Sequence, residues 1–315
     1  MSQHFDTVAL IGIGLIGSSI SHAMRRGGLA RRIVGAAKSE ATRATALRLG
    51  LVDEVFENSA DAVRDADLVI LCVPVRACGP VAAEIADSLK PGAILTDVGS
   101  VKGSVLADVA PHVPAGVHFI PGHPIAGTEH SGPESGFATL FDGRWCVLTP
   151  PPGADAEAVD RLKGFWEALG SNVEIMAADH HDMVLAITSH VPHLIAFNIV
   201  NTAAHLERVT ESEVIKFSAG GFRDFTRIAA SDPTMWRDVF LTNRTAMIEM
   251  LGRFTEDLLH LQRAMRFGDG ETIFRMITEA RHIRRDIIQA GQDTAAPDFG
   301  RRKASADGSS GSSQG

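Results

Sequence analysis

Several residue types are missing or scarce in this sequence, and each shortage excludes a class of protein. The 315 residues include no tyrosine, which excludes any mechanism that uses a tyrosine as proton donor, as the short-chain dehydrogenases do. The three cysteines, Cys72, Cys78 and Cys146, are too few and too irregularly spaced for a disulfide framework or a metal pattern. The formal net charge of −8 disfavours a nucleic-acid partner, because neutralising phosphates requires a basic surface.

Long apolar runs are also missing. No stretch of about 18 apolar residues occurs, so we expect no membrane span. The first residues, MSQHFDTVAL, lack the basic region and long apolar segment of a signal peptide. Together with cysteines that we expect to be reduced thiols, these observations predict a cytoplasmic protein.

The first half of the chain alternates short apolar runs with amphipathic stretches. The runs TVALIGIG, RRIVGAA, ADLVILCVP and AILTDVG are each followed by a helix-like segment, and VHFIPG comes next. This alternation predicts an α/β domain of the Rossmann type, with a doubly wound parallel sheet and helices on both faces. The segments RWCVLTP, DAEAVDRLKGFWEALG and SNVEIM predict a final strand–helix–strand addition, so we place this domain at residues 1–176.

The second half is nearly all helical in pattern, and we place a helical domain at residues 177–291. Apolar residues recur three and four apart between Val239 and Met265, which is typical of a buried core or a dimer interface. The Ser- and Gly-rich residues 292–315 predict a disordered tail.

A glycine-rich hexamer follows the first apolar run and opens the first helical pattern. It has the form G-x-G-x-x-G, and it consists of Gly12, Ile13, Gly14, Leu15, Ile16 and Gly17. In that context it predicts a dinucleotide site: Gly12 permits the tight turn, Gly14 lets the backbone approach the pyrophosphate, and Gly17 lets helix and strand pack closely. The alternative is a glycine-rich turn without a ligand. Val73 and Pro74, at the end of ADLVILCVP, are assigned to the same cofactor site.

The end of the second predicted strand indicates which dinucleotide binds. An acidic residue that would hold the ribose 2′-hydroxyl of NAD is expected near Ala37, but Lys38, Ser39 and Arg43 follow instead. A 2′-phosphate would find cationic and hydroxyl partners among these three residues, so NAD or NADP is expected, with a slight lean to NADP. The alternative is that they are solvated surface residues.

Two polar residues follow predicted strands at the edge where open parallel sheets bind ligands. His123, in GHPIAGTE, can accept a proton near neutral pH, and Ser100, in DVGSVK, lies where a hydroxyl could hold its orientation. Ser100 is therefore assigned to both the catalytic and the cofactor site. The alternative for His123 is a histidine that caps a turn.

His190 and His193 lie three residues apart in SHVPH, so a helix would place them on one face. A metal site, which His180 and His181 could join, is disfavoured because no Cys or carboxylate cluster completes a familiar zinc spacing. We therefore expect no metal and interpret His190 and His193 as donors to a substrate.

Arg223 and Arg227 lie four residues apart in GGFRDFTRIAASDPTMWRD. Two guanidinium groups in a segment rich in glycine and aromatic residues favour a substrate carboxylate, and the alternative is a surface salt-bridge pair.

Four motifs together, DVGSVKG, GHPIAGTEHSG, TSHVPHLIAF and GGFRDFTRIAASDPTMWRD, resemble the prephenate/arogenate dehydrogenases of tyrosine biosynthesis. The resemblance extends from the glycine-rich hexamer to about Arg285. It implies an NAD(P)-binding domain followed by an all-α dimerisation domain, with the active site between them, and oxidative decarboxylation of prephenate or arogenate by a homodimer.

The resemblance also implies residue roles. His123 matches the catalytic histidine, Ser100 a hydrogen-bonding serine and Arg227 the arginine that binds the substrate carboxylate. Further substrate-pocket positions are matched by His193, Gly220, Trp236, Glu129 and Asp182.

Two other functions remain open. A β-hydroxyacid or imine-type dehydrogenase of the same plan typically uses a lysine in its helical domain, but Lys216 is the sole lysine between Asn172 and Gly300. A non-catalytic NADP sensor would need neither His123 nor Arg227.

Overall fold

The computed structural model describes residues 5–128, 130–206 and 220–289. Glu129, Lys216 and the predicted tail at 292–315 lie outside these ranges.

A six-stranded parallel sheet forms the centre of the first half, as the alternation predicts. Its order is β3-β2-β1-β4-β5-β6, and every neighbouring pair is parallel. The strands are β1 (Phe5–Ile11), β2 (Ala30–Ala36), β3 (Glu54–Phe56), β4 (Leu68–Leu71), β5 (Ile94–Asp97) and β6 (His118–Phe119). The order reverses between β1 and β4, and the crevice at such a switch point is where open α/β sheets bind ligands.

The central strands are buried because helices cover both faces of the sheet. Every residue of β4 and β5 is buried, which explains why β4 is an apolar run and why β5 begins as one before it ends in Thr96 and Asp97. The helices of this part are α1 (Leu15–Gly27), α2 (Glu40–Arg48), α3 (Ser59–Val63), α4 (Cys78–Ile85), α5 (Lys102–Val109) and α6 (Ala156–Ala168).

The sequence segment VHFIPGH divides into two strands that belong to different sheets. After β6, the chain forms β7 (Gly122–Pro124), which pairs antiparallel with β8 (Trp145–Leu148), and β8 pairs parallel with β9 (Asn172–Ile175). The predicted strand–helix–strand addition is therefore a separate three-stranded sheet with the order β7-β8-β9, and it does not extend the six-stranded one. This arrangement places His123 in the middle of a short strand.

The described part of the second half is helical, as predicted. Its helices are α7 (Ala178–Leu185), α8 (Val191–Leu206), α9 (Gly220–Thr226), α10 (Pro233–Thr242), α11 (Arg244–Phe267) and α12 (Gly270–Gln289). A π-helical turn at Ala186–His190 joins α7 to α8. Wide turns of this kind are often found at functional sites, because they rotate the side chains that follow.

The chain divides by packing into two compact units, residues 1–251 and 252–315. The helices up to residue 251 therefore belong to the same unit as the sheets. The predicted boundary at residue 176 instead marks where sheet gives way to helix, since β9 ends at Ile175 and α7 begins at Ala178. That boundary stays a prediction.

One helical stretch, Ala178–His205, is long and apolar enough by length and composition to cross a membrane. We expected no membrane span because the sequence contains no uninterrupted apolar run of about 18 residues. The stretch is nevertheless apolar on average, because its histidines and Asp182 are dispersed along it. His181, Asp182 and His190 lie on it and are buried in polar contacts within the protein. A single stretch of this kind is weak evidence for a membrane span, because core helices of soluble proteins can have the same length and composition.

Candidate active site

The glycine-rich hexamer forms the turn between β1 and α1. Gly12 has a φ of +96°, and a Cβ atom there would lie 2.6 Å from the Cys72 carbonyl oxygen. A Cβ on Gly17 would lie 2.4 Å from the Gly12 carbonyl oxygen, whereas one on Gly14 would meet nothing within 4 Å. The turn therefore requires Gly12 and Gly17 for packing and leaves open space at Gly14, where the N-terminus of α1 offers free N–H groups to an anion.

The side chains between these glycines pack inward. Ile13 is buried, and a Cβ on Gly35 would lie 2.7 Å from its Cδ1 atom. Leu15 and Ile16 are half-buried against the same core. Contact between these three residues and a dinucleotide would therefore involve mainly their backbone atoms.

The loop after β2 carries the residues expected to choose the dinucleotide. Ser39 caps α2, since its hydroxyl accepts a hydrogen bond from the Thr42 N–H at 3.5 Å. Arg43 turns back on the loop: Nη1 donates to the carbonyl oxygens of Ala37 and Lys38, each at 2.8 Å, and Nη2 pairs with Glu57 at 3.2 Å. Lys38 remains exposed.

Val73 and Pro74 follow β4 on the other side of the switch point. The Cys72 N–H donates to the Ile11 carbonyl oxygen at 2.7 Å, and Val73 Cγ1 would lie 3.1 Å from a Cβ on Gly12. Val73 thus borders the glycine-rich turn.

A buried ion pair organises the end of β5. Lys102 and Asp97 are fully buried and bonded to each other, and the Lys102 ammonium also donates to the Gly122 carbonyl oxygen at 2.6 Å. Asp97 in turn accepts hydrogen bonds from the N–H groups of Gly99 at 2.7 Å and Gly122 at 3.2 Å. Such complete pairing is what a buried charge requires, and here it fastens β7 beside β5.

His123 is buried on β7, and its described partner is His181. Its Nδ1 atom lies 2.8 Å from Nε2 of His181, with the two rings at 71°. Burial lowers the pKa of His123 well below its ordinary value, and nearby His181, Lys102 and His190 lower it further. His123 is therefore a neutral base at physiological pH.

His181 is bonded on its other side to Asp182. His181 Nδ1 lies 2.8 Å from Asp182 Oδ1, and the carboxylate also accepts the N–H groups of Lys102 at 2.7 Å and Gly103 at 2.8 Å. Burial lowers the pKa of His181, while the bond to Asp182 opposes this. Asp182 thus satisfies the first turn of α5 and holds His181, rather than projecting as a free carboxylate.

His190 lies beside Ser100 and is held by Asn243. The Asn243 amide donates to the Asp182 carbonyl oxygen at 2.8 Å and lies 3.1 Å from His190 Nδ1. Burial lowers the pKa of His190 to about 4, against an opposing contact with the backbone of Ser100. The structure therefore places Ser100, His190 and the pair of His123 and His181 in one cluster.

His193 and Trp236 extend this cluster. Their rings stack at a centroid distance of 3.7 Å, and His193 Nδ1 donates to the Ser189 carbonyl oxygen at 2.9 Å. His190 packs edge-on against the same indole, with ring centroids 6.0 Å apart. Burial lowers the pKa of His193, and so does the positive charge of Arg227. Arg227 therefore lies close enough to influence the cluster electrostatically.

Among the described residues, neither Arg223 nor Gly220 forms a hydrogen bond or an ion pair with the cluster. The side chain of Arg223 is 75% exposed and its Nε atom lies 4.0 Å from Asp224 Oδ1. Gly220 begins α9, and Glu129 lies outside the described residues. Arg227 is exposed as well, but its charge lies close enough to His193 to lower the pKa of that imidazole. The described residues include no group of three or more His, Cys, Asp or Glu side chains that could hold a metal ion.

Sequence reasoning missed four residues of this cluster. The sequence indicates His181 only as a possible metal ligand, and it assigns no role to Asp97 and Lys102 of the DVGSVK motif. The D-x-x-x-x-K spacing of that motif at a strand end was the available signal for the ion pair. Asn243 had no signal, because nothing in its local sequence indicates that it bonds to a residue 61 positions away.

Comparisons with known proteins agree with this fold. The family model described as prephenate dehydrogenase, nucleotide-binding domain, matches residues 20–175, and the model for the dimerization domain of the same family matches residues 177–279. The cyclohexadienyl dehydrogenase of Zymomonas mobilis is 41% identical over 89% of this chain and 95% of its own length. The prephenate dehydrogenase of Bacillus subtilis is 33% identical over 95% of this chain and 80% of its own length.

A solved structure is similar over nearly the whole chain. The prephenate dehydrogenase from A. aeolicus, in complex with hydroxyphenyl propionate and NAD+, superimposes with a TM-score of 0.84 at 35% identity. The match covers 90% of this chain and 98% of the other.

The chain belongs to the prephenate/arogenate dehydrogenase family. It is an oxidoreductase with an NAD(P)-binding Rossmann-type domain, which confirms the family and the fold expected from the four motifs.

Proposed function

We infer that this chain catalyses the NAD(P)-dependent oxidative decarboxylation of prephenate, arogenate or both in tyrosine biosynthesis. The observation that carries this inference is the buried, neutral His123, which is held by a second histidine on a strand fastened beside the end of β5. Relatives named cyclohexadienyl and prephenate dehydrogenase support it.

His123 is the proton acceptor in this proposal. The substrate is a cyclohexadienol with a ring carboxylate at C1 and a hydroxyl at C4. His123 takes the C4 hydroxyl proton as hydride leaves C4, carbon dioxide departs from C1, and the ring becomes aromatic. Aromatisation supplies the driving force, so the chain mainly has to position the donor and accept the proton.

The dinucleotide, when bound, supplies the nicotinamide ring that accepts the hydride. The turn at Gly12–Gly17 fits it, because Gly14 leaves open space beside the N-terminus of α1. Lys38, Ser39 and Arg43 would face the adenosine ribose, while Val73, Pro74 and Ser100 would border the rest of the cofactor. A slight preference for NADP remains part of the proposal.

Arg227 anchors a substrate carboxylate, with His190, His193, Gly220 and Trp236 lining the same pocket. The support is electrostatic, since the charge of Arg227 lowers the pKa of His193, which stacks on Trp236. Arg223 is a weaker candidate for this role because it is mostly exposed.

The test is steady-state turnover of prephenate and of arogenate, each with NAD and with NADP, in the unmodified protein and in His123→Asn. We expect His123→Asn to keep its fold and substrate binding while kcat falls by about 10²-fold or more. A nearly unchanged kcat would show that His123 is not the proton acceptor and would favour the alternative of a histidine that caps a turn. Failure of the unmodified protein on both substrates would favour the β-hydroxyacid or imine-type dehydrogenase, and dinucleotide binding without any turnover would favour the sensor.

The domain plan and assembly belong to the same proposal. We place the dinucleotide-binding domain at residues 1–176 and the helical domain at 177–291, and the two family models, which meet between residues 175 and 177, support this boundary. A homodimer built on the helical domain, located in the cytoplasm, completes the proposal.

A further inference from the structure

His123 can act as a base only if the nitrogen that meets the substrate carries no proton. A neutral imidazole carries one proton, on Nδ1 or on Nε2, and the hydrogen bond made by one nitrogen decides which form is present. The contacts of His123 are therefore informative about its protonation and not only about its orientation.

The hydrogen-bond chain from Asp182 to His123 has a single direction. The Asp182 carboxylate can only accept, so His181 Nδ1, 2.8 Å away, must donate to it. Neutral His181 then has a bare Nε2 atom. His123 Nδ1, 2.8 Å from that atom, must donate in turn, and this leaves His123 Nε2 bare.

Asp182 is a fixed acceptor at the start of this chain. It accepts the N–H groups of Lys102 at 2.7 Å and Gly103 at 2.8 Å at the first turn of α5, where the helix dipole also favours a negative charge. All three residues of the chain are buried, so water does not compete for these bonds.

We propose that the Asp182–His181 pair is a positioning device that holds His123 in the tautomer with a bare Nε2, and so makes Nε2 the atom that accepts the substrate proton. The logic is that of a catalytic triad with a histidine inserted between carboxylate and base. When His123 gains the proton, it stays on Nε2, and His181 and Asp182 stabilise the imidazolium through Nδ1. The catalytic consequence rests on the proposed function, whereas the tautomer does not.

Nitrogen NMR on histidine-labelled protein without substrate tests the tautomer directly, with the His123 signals assigned from their loss in His123→Asn. We expect a protonated Nδ1 and a bare Nε2 in the unmodified protein. In His181→Phe the acceptor of the His123 Nδ1 proton is removed, so we expect the form of His123 with its proton on Nε2 to gain population. A protonated Nε2 in the unmodified protein, or no change in the His123 tautomer in His181→Phe, would overturn the proposal.

Steady-state kinetics test whether this tautomer of His123 is needed for catalysis. His181→Phe keeps the ring volume and the bonds of Asp182 to α5, and we expect it and Asp182→Asn to lower kcat by about 10²-fold with KM changed by less than about threefold. His181→Gln, whose amide oxygen can accept from His123 Nδ1, should recover much of the loss. The matched controls are the exposed neighbours, Asp179→Asn and His180→Gln, which should keep kcat.

These experiments distinguish a failure of the proposed function from a failure of the positioning role of Asp182 and His181. If the unmodified protein oxidises neither prephenate nor arogenate but shows the expected tautomer, the proposed function fails and the positioning role stands. If the unmodified protein is active and both variants, folded by circular dichroism, keep kcat within about threefold, the positioning role fails.

Discussion

At the scale of single residues, the environment of His123 decides its proton affinity. The side chain is 8% exposed and lies among His181, Lys102 and His190, so the charged imidazolium is disfavoured. Two carboxylates lie close to His123, but each already has its own partner. Asp97 pairs with the Lys102 ammonium, and Asp182 accepts a backbone N–H of the first turn of α5. The His123 imidazole is therefore neutral at physiological pH.

This environment predicts the pH dependence of catalysis. The pKa of His123 in the folded protein is lowered below its ordinary value of 6.5, so the neutral form persists as the pH falls through 6.5. We expect the acidic limb of the kcat/KM profile, measured with the preferred substrate, to lie below pH 6.5. A limb centred above pH 7 would contradict the assignment of His123 as the base.

The same shift has a consequence for stability. In the unfolded chain His123 binds its proton near pH 6.5, whereas the folded protein resists it, so the unfolded state binds more protons below that pH. The free energy of unfolding should therefore decrease as the pH falls below 6.5. His181 and His190, whose pKa values are also lowered, act in the same direction.

At the scale of elements, the turn from β1 to α1 needs one glycine for packing, Gly17, and a different one for binding the dinucleotide, Gly14. Gly17→Ala would press a Cβ atom against the Gly12 carbonyl oxygen, and we expect a loss of roughly 1–3 kcal/mol in the free energy of unfolding. Gly14→Ala places its Cβ in open space, so stability should be retained while dinucleotide affinity falls. Thermal melts and dinucleotide titration of both variants check this. Equal stability of the two would contradict it.

The loop between β2 and α2 offers a second element-scale prediction, the choice of dinucleotide. The absence of an acid at Ala37 removes a group that would repel a 2′-phosphate, and a nearby cation adds attraction worth about tenfold in affinity. We expect NADP to be used at least as well as NAD, kcat/KM for NADP to fall in Lys38→Ala and in Arg43→Ala, and Ala37→Asp to favour NAD. A preference of tenfold or more for NAD in the unmodified protein would contradict this prediction of NADP use.

The two loop cations differ in what their replacement would test. Arg43 holds the Ala37 and Lys38 carbonyl oxygens and pairs with Glu57, so Arg43→Ala also removes structure from the loop. Lys38 is exposed, and Lys38→Ala is therefore the cleaner probe of phosphate attraction.

At the scale of the whole molecule, apolar side chains on the last two helices indicate how the chain assembles. Large side chains on α11 and α12 are more than half exposed, and they include Leu258, Leu259, Met265, Phe267, Phe274, Ile277 and Ile283. Exposed apolar surface of this extent is typical of an interface. This supports the prediction of a homodimer, which was first made from the apolar stripe between Val239 and Met265.

Light scattering at micromolar concentration tests the assembly. We expect a stable dimer that Phe274→Glu weakens, because the variant would bury a charge in the interface. Leu47→Glu is the matched control, since Leu47 is an exposed leucine on α2. A stable monomer of the unmodified protein, or equal effects of the two variants, would contradict the prediction.

Much of the molecule followed from the sequence alone. The alternation of apolar runs with amphipathic stretches predicted the parallel sheet, and the G-x-G-x-x-G spacing after a strand predicted the dinucleotide turn, because both patterns repeat over a few residues along the chain. Motif content predicted the family, which the family models confirm. The sequence placed His123 just past a strand of the parallel sheet, whereas it lies within β7 of the separate three-stranded sheet.

Only the tertiary structure decided how these residues act on one another. His123 meets His181, which is 58 residues away, and Asp182 meets the N–H of Lys102, which is 80 residues away, so no local pattern contains either bond. The structure also separated β7 from β6, turned Arg43 onto its own loop and brought the charge of Arg227 close to His193. The physical reason is that periodicity and turn chemistry are local, whereas burial, hydrogen-bond partners and proton affinity depend on residues that only folding brings together.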